Sequence, residues 1–262
     1  MSDAPIPAWL RVVAAVLLVF LMLPVAIVVL ASFSATAYLT IPPQGLTLHW
    51  FAQVLDNPDY VAAIVFSLKL AVASTALATL LAVPACYALH HRWVPFSTAL
   101  SSIAMSPLVF PAVVIGVALL QYVSLLGLRG SFLVLLLAHC VVVTPYIVRT
   151  ALAGLSGLDP ALEEAARVLG ANRALAFLHV VVPAIAPSLG AGLVFALITS
   201  FDEVSVTVFL LPPGQSTLPV TLFTALDQGV DPSVAAVSTL LIAATAILLI
   251  AMERLAGTRR LL

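Results

Sequence analysis

Asp159, Glu163, Glu164, Arg167 and Arg173 crowd into one short stretch, and Asp202 and Glu203 stand side by side in an otherwise apolar one. Carboxylates interleaved with arginines on a helix suit ion pairing with a second surface. Paired carboxylates inside an apolar segment are costly to bury and suit a polar, cation-attracting path. The other titratable groups point to less. His49, His90, His91, His139 and His179 show no metal-ligand spacing, since adjacent His90 and His91 point in different directions on a helix. Cys86 and Cys140 lie far apart in apolar stretches and read as small buried residues rather than a disulfide or metal pair. No Gly-x-x-x-x-Gly-Lys-Ser/Thr loop, Gly-x-Ser-x-Gly elbow or His-Glu-x-x-His helix occurs. The chain is therefore expected to hydrolyse no ATP, to do no covalent chemistry and to bind no metal.

The elements that position these residues follow from composition. Of 262 residues, 63% are hydrophobic and only 8% charged, against about 25% charged in a soluble domain. That excludes a soluble enzyme or a disordered scaffold. A formal net charge of -1 excludes a nucleic-acid-binding polyelectrolyte. An all-α membrane protein remains, because a lipid-exposed backbone must satisfy its own hydrogen bonds.

Charge-free stretches long enough to cross a bilayer, about 20 residues, place spans at about 12–33, 61–89, 98–120, 130–148, 185–211 and 232–252. The uncharged stretch Val204–Leu226 is broken by Pro212-Pro213-Gly214 and Pro219. Val204–Leu211 is read as the continuation of the fifth helix, with a loop from Pro212 to Asp231. Six spans put Arg11, Arg92, Arg149, Arg167, Arg173, Arg254, Arg259 and Arg260 on the inner side and only Arg129 on the outer. This is a positive-inside bias with both termini in the cytoplasm. Val12–Phe33 is longer than a signal-peptide core and reads as a retained anchor. Pro107 and Pro111 read as a kink in the third span. Lys69, inside the second helix, either snorkels to the outer interface or pairs with Asp202 or Glu203. The chain shows no internal repeat and no separate soluble domain.

The connection at about 149–184 is the longest cytoplasmic one. Asp159 suits a helix N-cap, Pro160 the first helical position and Gly170 the C-terminal stop. Glu163 and Arg167 are four apart and can pair. Leu162, Ala165, Ala166 and Leu169 make one apolar stripe, and Asn172 can cap a second short helix. By these residues alone, the helix either docks a partner or packs on its own bundle.

Glu164-Ala165-Ala166, three residues, Gly170-Ala171, then Phe177, Val180, Pro183 and Pro187 resemble the "EAA" loop of the permease subunits of bacterial binding-protein-dependent ABC importers. Ser200-Phe201-Asp202-Glu203-Val204, Pro212-Pro213-Gly214 and Thr217-Leu218-Pro219 are similar to the spermidine/putrescine class. The resemblance covers most of the chain. It implies a type I importer permease fold with the coupling-helix loop between the fourth and fifth spans, in the bacterial inner membrane. Glu164, Ala165, Ala166 and Gly170 would then dock a separate ATPase subunit. The implied partners are a second permease, two ATPase subunits holding ATP and Mg, an external substrate-binding protein and membrane lipid. No cofactor is expected on this chain, and no nucleic acid.

Asp202 and Glu203 either line the substrate path or sit hydrated at the outer interface. With Asp56, Asp59, Asp227 and Asp231 outside against Arg129, the charge balance favours a small organic cation such as a polyamine. The other class of reading is an ion-gradient-driven transporter or channel, for which the inverted repeats and broken mid-membrane helices are not evident.

Overall fold

A computed structural model describes residues 7–36, 43–228 and 232–258. The helices, in chain order, are α1 (Ala8–Ser32), α2 (His49–Asp56), α3 (Pro58–His90), α4 (Ser97–Met105), α5 (Ala112–Leu125), α6 (Phe132–Ser156), α7 (Pro160–Val168), α8 (Arg173–Ala176), α9 (Val182–Asp202), α10 (Thr207–Leu210), α11 (Leu218–Gln228) and α12 (Pro232–Thr258). A π-helical turn, Phe177–Val181, joins α8 to α9 into one 30-residue helix, Arg173–Asp202. The expected end of the outer loop at Asp231 and the terminal Arg259 and Arg260 lie outside the described residues.

Among the described residues, five helical stretches are long and apolar enough to cross a membrane: Ala8–Ser32, Pro58–His90, Phe132–Ser156, Arg173–Asp202 and Pro232–Arg254. A sixth crossing exists if Ser97–Leu108 and Ala112–Leu125 are counted as one broken span; the two halves bend by 102°. The bend has a local cause. Pro107 sits in a 3-10 turn (Ser106–Leu108) and Pro111 precedes α5, so neither supplies the N–H that would continue the helix. The third span expected at 98–120 is thus two helices, not one kinked rod.

Other boundaries also differ from the sequence reading. The fifth helix does not continue through Leu211. It stops at Asp202, the chain turns extended at Glu203, and a separate short helix starts at Thr207. The stretch read as an outer loop contains α11, because Pro219 sits in the first turn of that helix, where its missing N–H costs nothing. The fourth helix runs on to Ser156, so the connection after it is shorter than 149–184.

The chain divides into two compact units. In the unit of Met1–Val61 with Leu222–Ala244, the end of α1 is tied down locally. Trp50 Nε1 donates to the Ser34 carbonyl at 2.8 Å, and Phe33 packs on Phe51 with ring centroids 5.2 Å apart. Tyr60 and Ser233 hydroxyls lie 3.4 Å apart. Along α1 only Ala31 and Ser32 are buried.

The unit of Ala62–Thr221 with Thr245–Leu262 holds the larger core. Ala78, Ala82 and Cys86 of α3 meet Val143, Ile147 and Ala151 of α6 and Ile185, Leu189 and Ala196 of α9. Small residues let these helices approach closely, as membrane helix packing requires. A second cluster packs Leu70 and Leu135 with Val206 and Leu210, against α5. Here Gly116 leaves no free space for a side chain. A Cβ at that position would lie 2.7 Å from Phe209 Cδ2 and 2.9 Å from the Ser205 carbonyl oxygen. Gly116→Ala is therefore expected to lower stability by about 1–3 kcal/mol through overpacking. Gly190→Ala, whose Cβ would meet nothing within 4 Å, should be neutral or slightly stabilising. Thermal unfolding of the two purified variants in detergent checks this, and equal melting temperatures would remove the packing role from Gly116.

Candidate functional site

The helix α7 is built from signals within one turn of each end. Asp159 Oδ1 accepts from the Ala161 N–H at 2.9 Å, and Pro160 takes the first helical position. At the other end the Gly170 N–H donates to the Arg167 carbonyl and the Ala171 N–H to the Ala166 carbonyl, both at 3.0 Å. This is a Schellman motif with Gly170 in the left-handed region at φ +95°. Asn172 then caps the next helix, its Oδ1 accepting from the Leu175 N–H at 2.9 Å.

The helix turns much of its apolar stripe outward. Leu162 and Ala165 are exposed, and Val168 and Leu169 are 87% and 88% exposed. Ala166 is half-buried and Glu164 exposed. Packing on its own bundle would have buried the leucines, so the open alternative falls toward an outward-facing surface. Glu163 departs from expectation. No ion pair with Arg167 is present among the described residues. Its carboxylate instead accepts from Tyr87 Oη at 2.6 Å and faces His91 Nε2 at 3.2 Å. The tyrosine comes from the end of α3. Nothing in the loop sequence signalled this.

Asp202 and Glu203 lie at the far end of the helix that starts at Arg173. Thirty residues separate the ends by about 45 Å, so the structure does not bring the two groups of candidate residues together. Asp202 is exposed on this chain and Glu203 half-buried. Glu203 has a local duty: Oε1 accepts from the Val206 N–H at 2.9 Å, and its carbonyl accepts from Thr207 Oγ1 at 2.6 Å. Lys69 is exposed and, among the described residues, pairs with neither carboxylate.

Beneath this break lies a polar network that sequence reasoning passed over. His139, fully buried, has Nδ1 2.9 Å from Ser200 Oγ and Nε2 3.0 Å from Thr207 Oγ1. Ser200 Oγ is 2.8 Å from Ser74 Oγ. Because Thr207 Oγ1 spends its proton on the Glu203 carbonyl, it can only accept from the imidazole. His139 Nε2 therefore carries the proton, and Nδ1 accepts from Ser200. The signal was a lone histidine in an apolar span, which in a membrane demands partners.

Residues 78–258 match the family described as the binding-protein-dependent transport system inner membrane component. The chain belongs to this family of ABC importer permeases. The permease is 30% identical over 240 residues to the spermidine/putrescine transport system permease protein PotC of Escherichia coli strain K12, covering 90% of this chain and 89% of that one. It is 32% identical over 248 residues to PhnV of Salmonella typhimurium strain LT2, named for 2-aminoethylphosphonate transport, covering 94% and 93%. Among solved structures, a bacterial ABC transporter involved in import of the acidic polysaccharide alginate aligns with a TM-score of 0.77 at 18% identity, over 96% of this chain and 99% of that one. The MetNI methionine transporter aligns with a TM-score of 0.61 at 18% identity, over 76% and 94%. These likenesses establish the fold. The permease is thus a multi-pass inner-membrane transport protein and not itself an enzyme, and it resembles the spermidine/putrescine class. Family membership also sets aside the ion-gradient alternative.

Proposed function

We propose that this permease forms half of the membrane pathway of an ATP-driven importer, with a second permease beside it, two ATPase subunits beneath it and an external binding protein above. ATP and Mg would be held by the ATPases, and no cofactor by this chain. Solute released by the binding protein would cross between the two permeases as ATP-driven closure of the ATPases moves α7. The observation that carries this reading is the doubly capped α7 holding Leu162, Ala165, Val168 and Leu169 away from its own bundle. An exposed apolar stripe rimmed by charge marks a surface for a partner. Glu164 on that helix offers a carboxylate to a basic residue of the ATPase.

The solute proposed is a small organic cation. Spermidine and putrescine, the solutes in one relative's name, are alkylammonium cations, 2-aminoethylphosphonate in the other's shares the ammonium group beside an anionic phosphonate, and Asp202 with Glu203 is a carboxylate pair able to attract that ammonium.

Two measurements test the proposal. The permease, co-expressed with a candidate ATPase subunit from the same organism and with the other proposed subunits, should retain that ATPase through purification and support ATP-dependent uptake in liposomes. Loss of both would overturn it. In the proposed topology both termini are cytoplasmic and Pro212–Asp231 is outside. Reporter fusions after Leu222 and after Leu262 should then report opposite sides; the same side for both would overturn the six-span topology.

A further inference from the structure

The side of α7 turned from the exposed stripe is held by one carboxylate. Glu163 is engaged by Tyr87 Oη at 2.6 Å and by His91 Nε2 at 3.2 Å, and its side chain is only 14% exposed. Tyr87 lies in the last turn of α3 and His91 just beyond it, so both belong to the end of the second span. A short bond from a phenol to a largely buried carboxylate is stronger and more directional than a surface ion pair.

Tyr87 cannot swing to follow α7, because aromatic rings enclose it. Its ring centroid lies 4.4 Å from that of His91, 5.2 Å from Trp93 and 4.7 Å from Phe177. Trp93 is delivered there by an unusual turn. Arg92 takes the left-handed φ of 53°, while the Trp93 N–H reaches back to the Ala88 carbonyl and the Arg92 N–H to that of Leu89. That is the helix stop a glycine usually provides. An arginine in its place is a local strain which the surrounding contacts must hold. The Arg173 guanidinium sits 4.8 Å from the Trp93 ring centroid, and Arg173 opens the long helix to Asp202. One cluster therefore joins the end of α3, the middle of α7 and the start of α8.

We propose that Glu163, acting through Tyr87 and His91, is the positioning residue that links the coupling helix rigidly to the second span. A nine-residue helix is too short to be stable by itself, so α7 takes its orientation from such tertiary bonds. With the link intact, a displacement of α7 moves α3; without it, the flanking turns absorb the displacement. The inference rests on the reading that α7 receives the ATPase.

The test uses the complete importer in proteoliposomes, measuring ATPase co-purification, ATP hydrolysis and solute uptake on the same preparations. Glu163→Leu removes the link, and Tyr87→Phe removes only the hydroxyl while keeping the ring packing. Glu163→Gln keeps an acceptor for Tyr87 and removes the charge facing His91, so it remains informative if the leucine variant fails to fold. ATPase co-purification should be unchanged. ATP consumed per solute transported should rise about two- to thirty-fold in Glu163→Leu and Tyr87→Phe, the range by which one position in a coupling network modulates coupling, and less in Glu163→Gln. Joining Glu163→Cys to His91→Cys with a short bismaleimide should restore the ratio; the native Cys86 and Cys140 are buried. An unchanged ratio in Glu163→Leu and Tyr87→Phe would overturn the link. So would ATPase co-purification falling in step with uptake, which would make Glu163 part of the docking surface. An unmodified permease that retains no ATPase would instead sink the docking reading, and the link with it.

Discussion

Replacing Gly170 with valine is expected to abolish ATP-driven uptake while leaving the chain inserted in the membrane. The glycine stands at φ +95°, and nothing lies within 4 Å of where its Cβ would be. The cost is therefore backbone conformation and not crowding. A β-branched residue held in that region costs about 1–3 kcal/mol, comparable to what the whole Schellman turn contributes. The segment would escape by rotating out of the left-handed region, which breaks the Gly170 and Ala171 hydrogen bonds and re-aims the chain between α7 and α8. Gly170→Ala should show a weaker form of the same defect.

Glu164→Lys tests the same surface without touching the backbone. Glu164 is exposed, and exposed substitutions usually change stability by no more than about 0.5 kcal/mol. Reversing its charge should instead weaken ATPase binding at least about ten-fold, or about 1.4 kcal/mol, with a matching loss of uptake. Co-purification of the ATPase subunit and uptake by the reconstituted complex are the readouts. Wild-type values of both in Gly170→Val and in Glu164→Lys would remove α7 from the docking surface.

The second large effect is expected at the other end of the long helix. The double variant Asp202→Asn with Glu203→Gln should raise the KM for a cationic solute about ten- to a hundred-fold, the value of one charge-assisted hydrogen bond at 1.5–3 kcal/mol. The choice of substitution matters. Glutamine at 203 still offers an Oε1 to the Val206 N–H, so the turn between α9 and α10 keeps its cap and only the charge is lost. Glu203→Ala would remove both, mixing a capping loss of about 1 kcal/mol with any effect on solute. Unchanged uptake in the double variant would place both carboxylates at the hydrated outer interface and leave solute choice to the binding protein.

What the sequence determined by itself is whatever acts within one helical turn. Asp159, Pro160, Gly170 and Asn172 set the ends of α7 and α8 through hydrogen bonds spanning two to five residues, so these two helices were legible from the residues alone, whereas a docking role for α7 came only from the family resemblance. The membrane-crossing character was equally legible, because hydropathy is a property of each stretch and needs no partner. The tertiary structure decided the rest. No proline or glycine marks the stop after Asp202. There the chain turns extended at Glu203, whose carbonyl accepts from Thr207, and Thr207 lies against His139, 68 residues away in sequence. Glu163 turned from Arg167 to Tyr87, 76 residues distant. Each of these depends on which helices lie side by side, and in a chain this apolar nearly every helix face looks alike until packing puts a polar group opposite it.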